Sequence, residues 1–327
     1  MPGKGKRWIL VKHFDGFPKE SDMRLEEFDI PELKEEEVLL EAEYLSVDPY
    51  MRPYSVSLQT ETVMIGQQVA KVIESRNDNF PVGTWTLPSS GWTTHTVSDG
   101  KGLIKMPLPE GVPRSYAIGS IGMPGVTAYF GLLDICTPKA GETVLVSAAA
   151  GAVGNVVGQI AKMKGCRVIG SAGSEEKLEH LKELGFDEVF NYKTTQNLDA
   201  KLKELAPDGI DVYFDNVGGE FATTAVLNMK LFGRIACCGA ISGYNLKEPE
   251  KLSSIYVQMV LKQLKMEGFI IYRYQPRWAE AIGALTEWVK EGKIKVREHK
   301  TDGFENMFKA FTELFTGANT GKAVVKV

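Results

Sequence analysis

Residues Thr143–Gly154 read TVLVSAAAGAVG, and their interpretation decides the fold. The apolar run Thr143–Ser147 gives way to small residues and then to the helical stretch Val153–Lys164. A short, wholly apolar run that ends in a turn suits a strand buried on both faces of a parallel sheet. The turn carries Ala149-x-Gly151-x-x-Gly154, the dinucleotide fingerprint G-x-G-x-x-G with alanine in its first place. Gly151 lets the backbone approach a pyrophosphate, and Gly154 lets the helix lie close to the strand. The helix N-terminus then offers N–H groups and partial positive charge to the phosphates. Glycine- and alanine-rich turns also occur where nothing binds, so the strand–turn–helix context carries the argument.

Outward from this turn, apolar runs of four to six residues alternate with amphipathic stretches, the mark of βαβ units. Strands are expected at Arg167–Ser171, Glu188–Asn191, Val212–Asn216, Gly233–Gly239 and Gly268–Tyr272. Helices are expected at Glu175–Leu184, Leu198–Leu205, Glu220–Asn228, Leu252–Gln263 and Trp278–Glu291. From Trp8 to about Ser98 the pattern differs, with short strands such as Glu37–Ala42 and Val69–Ile73 between frequent turns. Lys293–Val327 returns to that character. The fold class is therefore α/β, with a parallel sheet of βαβ units between mostly β segments.

An NAD site places an acid about 20 residues beyond the fingerprint to hold the ribose 2′-hydroxyl. No acid occurs between Gly165 and Gly173, and the strand ends in Ser171-Ala172-Gly173-Ser174. Because an acid would repel a 2′-phosphate, its absence permits NADP(H), with Lys177 as a matching cation one turn into the next helix. By itself Lys177 reads equally as a solvated helix residue.

The composition excludes other classes. With 43% apolar and 24% charged residues the chain is neither disordered nor fibrous, and a net charge of −4 gives nucleic acid or an anionic membrane no electrostatic attraction. The start lacks a signal-peptide apolar run, and no stretch approaches the ~20 apolar residues of a membrane span, so a cytosolic setting is expected. The four cysteines (Cys136, Cys166, Cys237, Cys238) form no C-x-x-C pair, so no metal site is expected. Cys237 and Cys238 lie in an apolar strand and read as packing residues rather than nucleophiles. His95 reads as a structural histidine, since no carboxylate lies near it in sequence.

Several long segments carry a resemblance. TVLVSAAAGAVGNVVGQIAKMKGCRVIGSAGSEEK, VDPYMR (Val47–Arg52), GQQVAKVIES (Gly66–Ser75), YFDNVGGE (Tyr213–Glu220), CGAISGYN (Cys238–Asn245) and GFENM (Gly303–Met307) are similar, in order and nearly end to end, to the zinc-independent medium-chain dehydrogenase/reductase superfamily. Within it, the segments resemble the reductases of α,β-unsaturated aldehydes and ketones. The resemblance implies a doubly wound parallel Rossmann sheet, the NADP-binding domain at 121–292, inserted into a GroES-like, mostly β catalytic domain made of 1–120 with 293–327. It also implies NADPH-dependent reduction of the carbon–carbon double bond of lipid enals, enones and 15-oxo-prostaglandins, with NADP-dependent oxidation of a leukotriene 12-hydroxyl as a companion activity. Gly66-Gln67-Gln68 stands where zinc enzymes of the superfamily have Gly-His-Glu, and glutamine is a poor zinc ligand.

The same resemblance assigns residues. Gly151, Ala152, Val153 and Gly154 face the pyrophosphate; Lys177 and Tyr192 meet the adenosine half; and Asn216 meets the ribose or nicotinamide side. The loop Cys238, Gly239, Ala240, Ile241, Ser242, Gly243 and Tyr244, the strand residues Phe269, Ile270 and Ile271, and Asn319 complete the cofactor contacts. Tyr50 lines the substrate cleft and Tyr244 is a second candidate catalytic hydroxyl. Relatives carry a tyrosine eight residues before the phenylalanine at Phe269, where this chain has Leu261; Tyr256 lies earlier on the same expected helix. The apolar run Phe269–Ile271, as an exposed sheet edge, suggests a homodimer. A quinone reductase of the same zinc-free fold and a non-enzymatic NADPH-binding protein are the competing readings.

Overall fold

The computed structural model describes residues 3–327. The chain divides into two compact units: one runs to Gly119 and resumes at Glu298, and the other spans Ser120–Arg297. Residues 293–297, expected with the tail, go with the second unit.

The second unit is built on six parallel strands. In spatial order they are Glu188–Asn191, Arg167–Ala172, Thr143–Val146, Ile210–Asp215, Met229–Cys237 and Lys265–Gly268. Numbered along the chain this is 3-2-1-4-5-6, the doubly wound Rossmann order. Alternation assigns the two faces. Val144, Val146, Val212 and Phe214 pack with the Val156, Val157 and Ile160 side of the helix Gly154–Met163. Leu145, Ile169, Tyr213 and Ile235 pack with Leu202 and Val226 on the other face. Both faces are covered, which is why these strands read as continuous apolar runs.

Three expectations change. Gly268–Tyr272 is not a strand: the strand is Lys265–Gly268, and Phe269 and Ile270 follow its end. As the sheet edge it has only the Met229–Cys237 strand beside it, and after Gly268↔Cys237 the pairing stops. Ile271 then opens the 3₁₀ segment Ile271–Arg277. The expected helix Leu252–Gln263 forms only as Tyr256–Leu261. The fifth strand begins at Met229 and ends at Cys237, leaving Cys238 and Gly239 in the loop beyond. The edge strand itself is polar at its ends; the exposed apolar side chains lie on the neighbouring short helix, where Tyr256, Val260 and Leu261 are 79%, 74% and 68% exposed.

The first unit contains a sheet in the order Glu298–Asp302, Lys322–Lys326, Val38–Ser46, Gln68–Ser75 and Trp85–Thr86, with His95–Ser98 also pairing to Val38–Ser46. A smaller antiparallel sheet joins Met23–Asp29, Lys4–Leu10 and Thr62–Val63. Trp8, Met51, Met64, Trp92 and Phe311 form the largest core of this unit, and the helix Met307–Thr316 closes it with Phe311 and Leu314. Among the described residues no helix is long and apolar enough to cross a membrane.

Candidate functional site

In a doubly wound sheet ligands bind at the carboxyl ends of the strands, where the strand order reverses. Here that point lies between Thr143–Val146 and Ile210–Asp215. Ser147 and Asn216 bridge it. The Asn216 backbone N–H donates to Ser147 Oγ (2.9 Å), and its side-chain amide donates to the Ser147 carbonyl (2.8 Å). The buried Asp215 carboxylate accepts from the Tyr213 hydroxyl (2.7 Å) and from the N–H groups of Val217 and Gly218 (both 2.9 Å). Burial and the adjacent Asp215 hold the Tyr213 phenol well above its ordinary pKa, so it remains a donor.

The fingerprint turn is tightly made. Ala149 N–H donates to the Ser171 carbonyl (2.9 Å), linking the turn to the second strand. Gly151 N–H is committed to the Ala148 carbonyl (3.0 Å), and its own carbonyl accepts from the Asn155 side chain (2.6 Å). A Cβ at Gly154 would stand 2.5 Å from the Ala148 oxygen and 2.8 Å from Ala149 Cα, so only glycine starts the helix this close to the turn. Ala148 occupies the left-handed region (φ 46°), a strained place for a residue with a Cβ. Ala152 and Val153 lead directly into the helix Gly154–Met163, whose N-terminus presents its partial positive charge at this turn.

The end of the second strand gathers cations. Ser174 caps the helix Glu175–Glu183 by accepting from the Lys177 N–H. Burial, then the nearby Lys193, pull the Lys177 pKa below its ordinary value, while Glu176 opposes them. A Cβ at Gly173 would lie 2.9 Å from Lys193 Cε and 3.2 Å from Tyr192 Oη, so the bare glycine leaves a cradle walled by these side chains. The Ser171 hydroxyl and Asn155 Oδ1 are buried without hydrogen-bond partners among the described residues. Two like charges held near one another, a cradle and the unused Ser171 hydroxyl donor fit a phosphate-bearing ligand. Lys193 escaped the sequence reading, because a lysine after Tyr192 looks like any exposed strand-end charge.

The loop after the fifth strand folds over the loop after the fourth. Ser242 Oγ donates to the Val217 carbonyl (2.7 Å), and Ile241 N–H donates to that of Asn216 (3.3 Å). Gly218 and Gly219 both have positive φ (70° and 59°) and permit this approach, although only the motif around them was noticed in the sequence. Tyr244 turns back on its own loop, its hydroxyl accepting the Ala240 N–H (3.2 Å). Phe269 sets its ring edge-on to Phe214 at 6.4 Å, Ile271 is buried and Ile270 exposed. Asn216, Cys238–Tyr244 and Gly151–Gly154 thus lie at the carboxyl ends of the strands, while Lys177 and Tyr192 stand at the neighbouring strand ends.

The remaining candidates belong to the first unit. Half-buried Tyr50 precedes the one-turn helix Met51–Tyr54 and meets Tyr54 edge-on at 5.5 Å. Asn319 donates to the Gly321 carbonyl (3.0 Å). Gln68, fully buried, directs its amide to the carbonyls of Gly91 (2.5 Å) and Thr93 (2.9 Å). His95 does have a carboxylate near it, Glu41 at 3.6 Å, supplied by the cross-strand register. Burial nonetheless lowers the His95 pKa, with Glu41 acting against it. Leu261 and Tyr256, the positions weighed for a proton donor, are both exposed on the short helix of the second unit.

Comparison with known proteins places these observations. A family profile described as "N-terminal domain of oxidoreductase" matches residues 6–106, and one described as "Zinc-binding dehydrogenase" matches 152–287. The chain is 55% identical to a prostaglandin reductase 1 from Bos taurus, over 98% of both sequences. It is 42% identical to a 2-alkenal reductase (NADP(+)-dependent) from Nicotiana tabacum, over 98% of this chain and 97% of that one. The crystal structure of CurA in complex with NADPH from Vibrio vulnificus superposes with a TM-score of 0.93 at 40% identity, covering 98% of this chain and 99% of that one.

The cysteines around the site are inert by burial. The thiol pKa is pushed up to about 11 at Cys237 and about 12 at Cys238, so little thiolate exists near neutrality. At pH 8, iodoacetamide should label both at least ~100-fold more slowly than an unperturbed thiol of pKa about 8.5, and the rate should climb with pH. Mass spectrometry of the labelled native and denatured chains checks this, and rapid native labelling at Cys237 would contradict it.

Proposed function

The chain belongs to the prostaglandin reductase 1 family of medium-chain dehydrogenases/reductases, and from that premise we propose that it reduces the carbon–carbon double bond of α,β-unsaturated aldehydes and ketones with NADPH. Medium-chain enals and enones, including 15-oxo-prostaglandins, are the proposed substrates. Oxidation of a leukotriene 12-hydroxyl with NADP⁺ is the companion activity to assay. The observation that carries the cofactor choice is the acid-free strand end where Lys193 and Tyr192 wall Gly173, with Lys177 close enough to Lys193 to feel its charge. It supports a 2′-phosphate there, with the pyrophosphate over Gly151–Gly154.

When bound, the reduced nicotinamide supplies a hydride to the substrate β-carbon. The protein's work is to orient and to stabilise charge. Asn216 and the loop Cys238–Tyr244 shape the nicotinamide side, with Tyr244 holding that loop; Phe269–Ile271 and Asn319 add the remaining contacts. The Tyr50 hydroxyl donates to the substrate carbonyl oxygen as enolate charge develops. Because Leu261 provides no hydroxyl, solvent or the ribose hydroxyl of the cofactor is left to protonate the α-carbon. No metal is required, because the carbonyl already polarises the alkene and the Gln68 amide is engaged by two backbone carbonyls. In this reading the unit ending at Gly119 and resuming at Glu298 is the catalytic domain, and Ser120–Arg297 is the NADP(H)-binding one.

We also propose self-association through the exposed face of the helix Tyr256–Leu261. Phe232, 57% exposed, adjoins that face through its N–H bond to the Lys262 carbonyl (2.7 Å). Apolar exposure of this kind is normally covered by a partner. Light scattering should give about twice the 36.1 kDa chain mass, and a monomer mass at micromolar concentration would refute it.

A 2′-phosphate binds the protonated lysine. Because the Lys177 pKa is lowered, NADPH affinity should fall as pH rises through that lowered value, whereas NADH affinity should not. Lys177→Ala and Lys193→Ala should each weaken NADPH by ~1–3 kcal/mol and leave NADH nearly unchanged, as read by cofactor fluorescence titration. Equal losses for both cofactors would remove the assignment.

Loss of NADPH absorbance with an enone, with a quinone, and with neither separates the competing activities. Product analysis should show a saturated carbonyl compound rather than an allylic alcohol. Tyr50→Phe should lower kcat by ~10²–10³ with a smaller change in KM, as expected for a donor whose bond strengthens in the transition state. An unchanged kcat would remove Tyr50 from this role.

A further inference from the structure

The first unit buries one ammonium group that the proposed reaction does not touch. Lys322 opens the strand Lys322–Lys326 with its side chain only 2% exposed. An ammonium has three N–H donors, and here they meet three acceptors: the Val47 carbonyl (2.7 Å), Asp48 Oδ1 (2.9 Å) and the Ala323 carbonyl (2.9 Å). The other Asp48 oxygen accepts the Ser46 hydroxyl. Burial pulls the Lys322 pKa down and Asp48 opposes it. Glu298, opposite Lys322 in the strand register, engages Ser115 (2.9 Å) and Lys300 (3.2 Å), and its charge joins Asp48 in opposing the lowering of the Lys322 pKa.

Two of these acceptors, Val47 and Asp48, lie where the chain leaves the strand Val38–Ser46 and turns toward Tyr50. Pro49 fixes φ between Asp48 and Tyr50. The Met51 N–H then bonds the Asp48 carbonyl (3.2 Å), and the Arg52 N–H bonds that of Pro49 (3.1 Å). Beyond Tyr50, buried Arg52 donates to the carbonyls of Phe14 (3.2 Å) and Gly16 (3.0 Å). The Tyr50 turn is therefore clamped from both sides, by Lys322 before it and by Arg52 after it. Stability alone does not account for the clamp, since replacing a buried ion pair by neutral groups of similar size is often harmless to stability.

We propose that Lys322 is a positioning residue: through Val47 and Asp48 it fixes the backbone that aims the Tyr50 hydroxyl. The claim deepens the proposed reduction and rests on Tyr50 acting there. Misplacement of a catalytic group by about 1 Å costs on the order of 10² in rate, so a loosened turn should be visible in kcat.

The test compares the full-length wild type with Lys322→Met, Asp48→Asn and the double variant, whose neutral pair avoids a stranded buried charge if the single ones fail to fold. With an enone and NADPH, the double variant should lose at least about tenfold in kcat with KM changed less. In a Tyr50→Phe background the same pair should change kcat by less than about twofold, because coupled residues are not additive. Fluorotyrosine at position 50 gives a readout independent of activity: one sharp fluorine line in the wild type, broadened or divided in the double variant. A folded double variant with the wild-type line or the wild-type kcat would overturn the proposal, as would equal losses in both Tyr50 backgrounds. If the wild type reduces no enone, the functional reading falls and the fluorine line alone decides the positioning claim.

Discussion

The carboxylate of Asp215 is the point on which the crevice of the second unit depends. It is almost fully removed from water and accepts from Tyr213, Val217 and Gly218, while its backbone carbonyl accepts the N–H groups of Cys238 (2.8 Å) and Gly239 (3.1 Å). A buried carboxylate without such donors would cost several kcal/mol. The donors come from the fourth strand and from the loops after the fourth and fifth strands. Meeting the needs of one residue, side chain and backbone carbonyl together, thus ties those strand ends to one another, and Ser147 Oγ, which donates to the carboxylate at 3.3 Å, adds the end of the first strand. Asn216 and the loop Cys238–Tyr244 inherit their places from this arrangement.

Much of the second unit was legible in the sequence for a simple reason. Strands buried on both faces are apolar through their middles, and Val144–Val146 and Val212–Phe214 read as such runs. Gly154 was legible because close helix–strand approach tolerates no Cβ. The segment after Gly268 was misread because Phe269-Ile270-Ile271 has strand composition, but composition cannot reveal that an edge strand runs out of partner backbone. The helix before it was overextended for the same kind of reason, since amphipathic spacing continues past the point where tertiary contacts support it.

Charged residues were the least legible. Lys193, Asp215 and Lys322 each resemble a solvated surface residue when read alone, yet each faces a charge or donor set assembled by the fold. His95 gives the same lesson in reverse: a search for a carboxylate along the chain missed Glu41, which lies directly across a strand pair. Buried charge is costly enough that a fold keeps it only where geometry returns the loss. Buried Asp215 lies beside Asn216, and buried Asp48, Arg52 and Lys322 flank Tyr50.

The division of the first unit between residues before Gly119 and after Glu298 has a consequence for biosynthesis. Asp48 and Lys322 are 274 positions apart, with the whole Rossmann unit emerging between them. At ~5–20 residues per second, Asp48 leaves the ribosome roughly 14–55 seconds before the ammonium it will hold. Throughout that interval its carboxylate remains hydrated and the strand Val38–Ser46 lacks its neighbour Lys322–Lys326. The nascent chain can therefore complete its Rossmann half while the half carrying Tyr50 still lacks the backbone that pairs with Tyr44–Ser46.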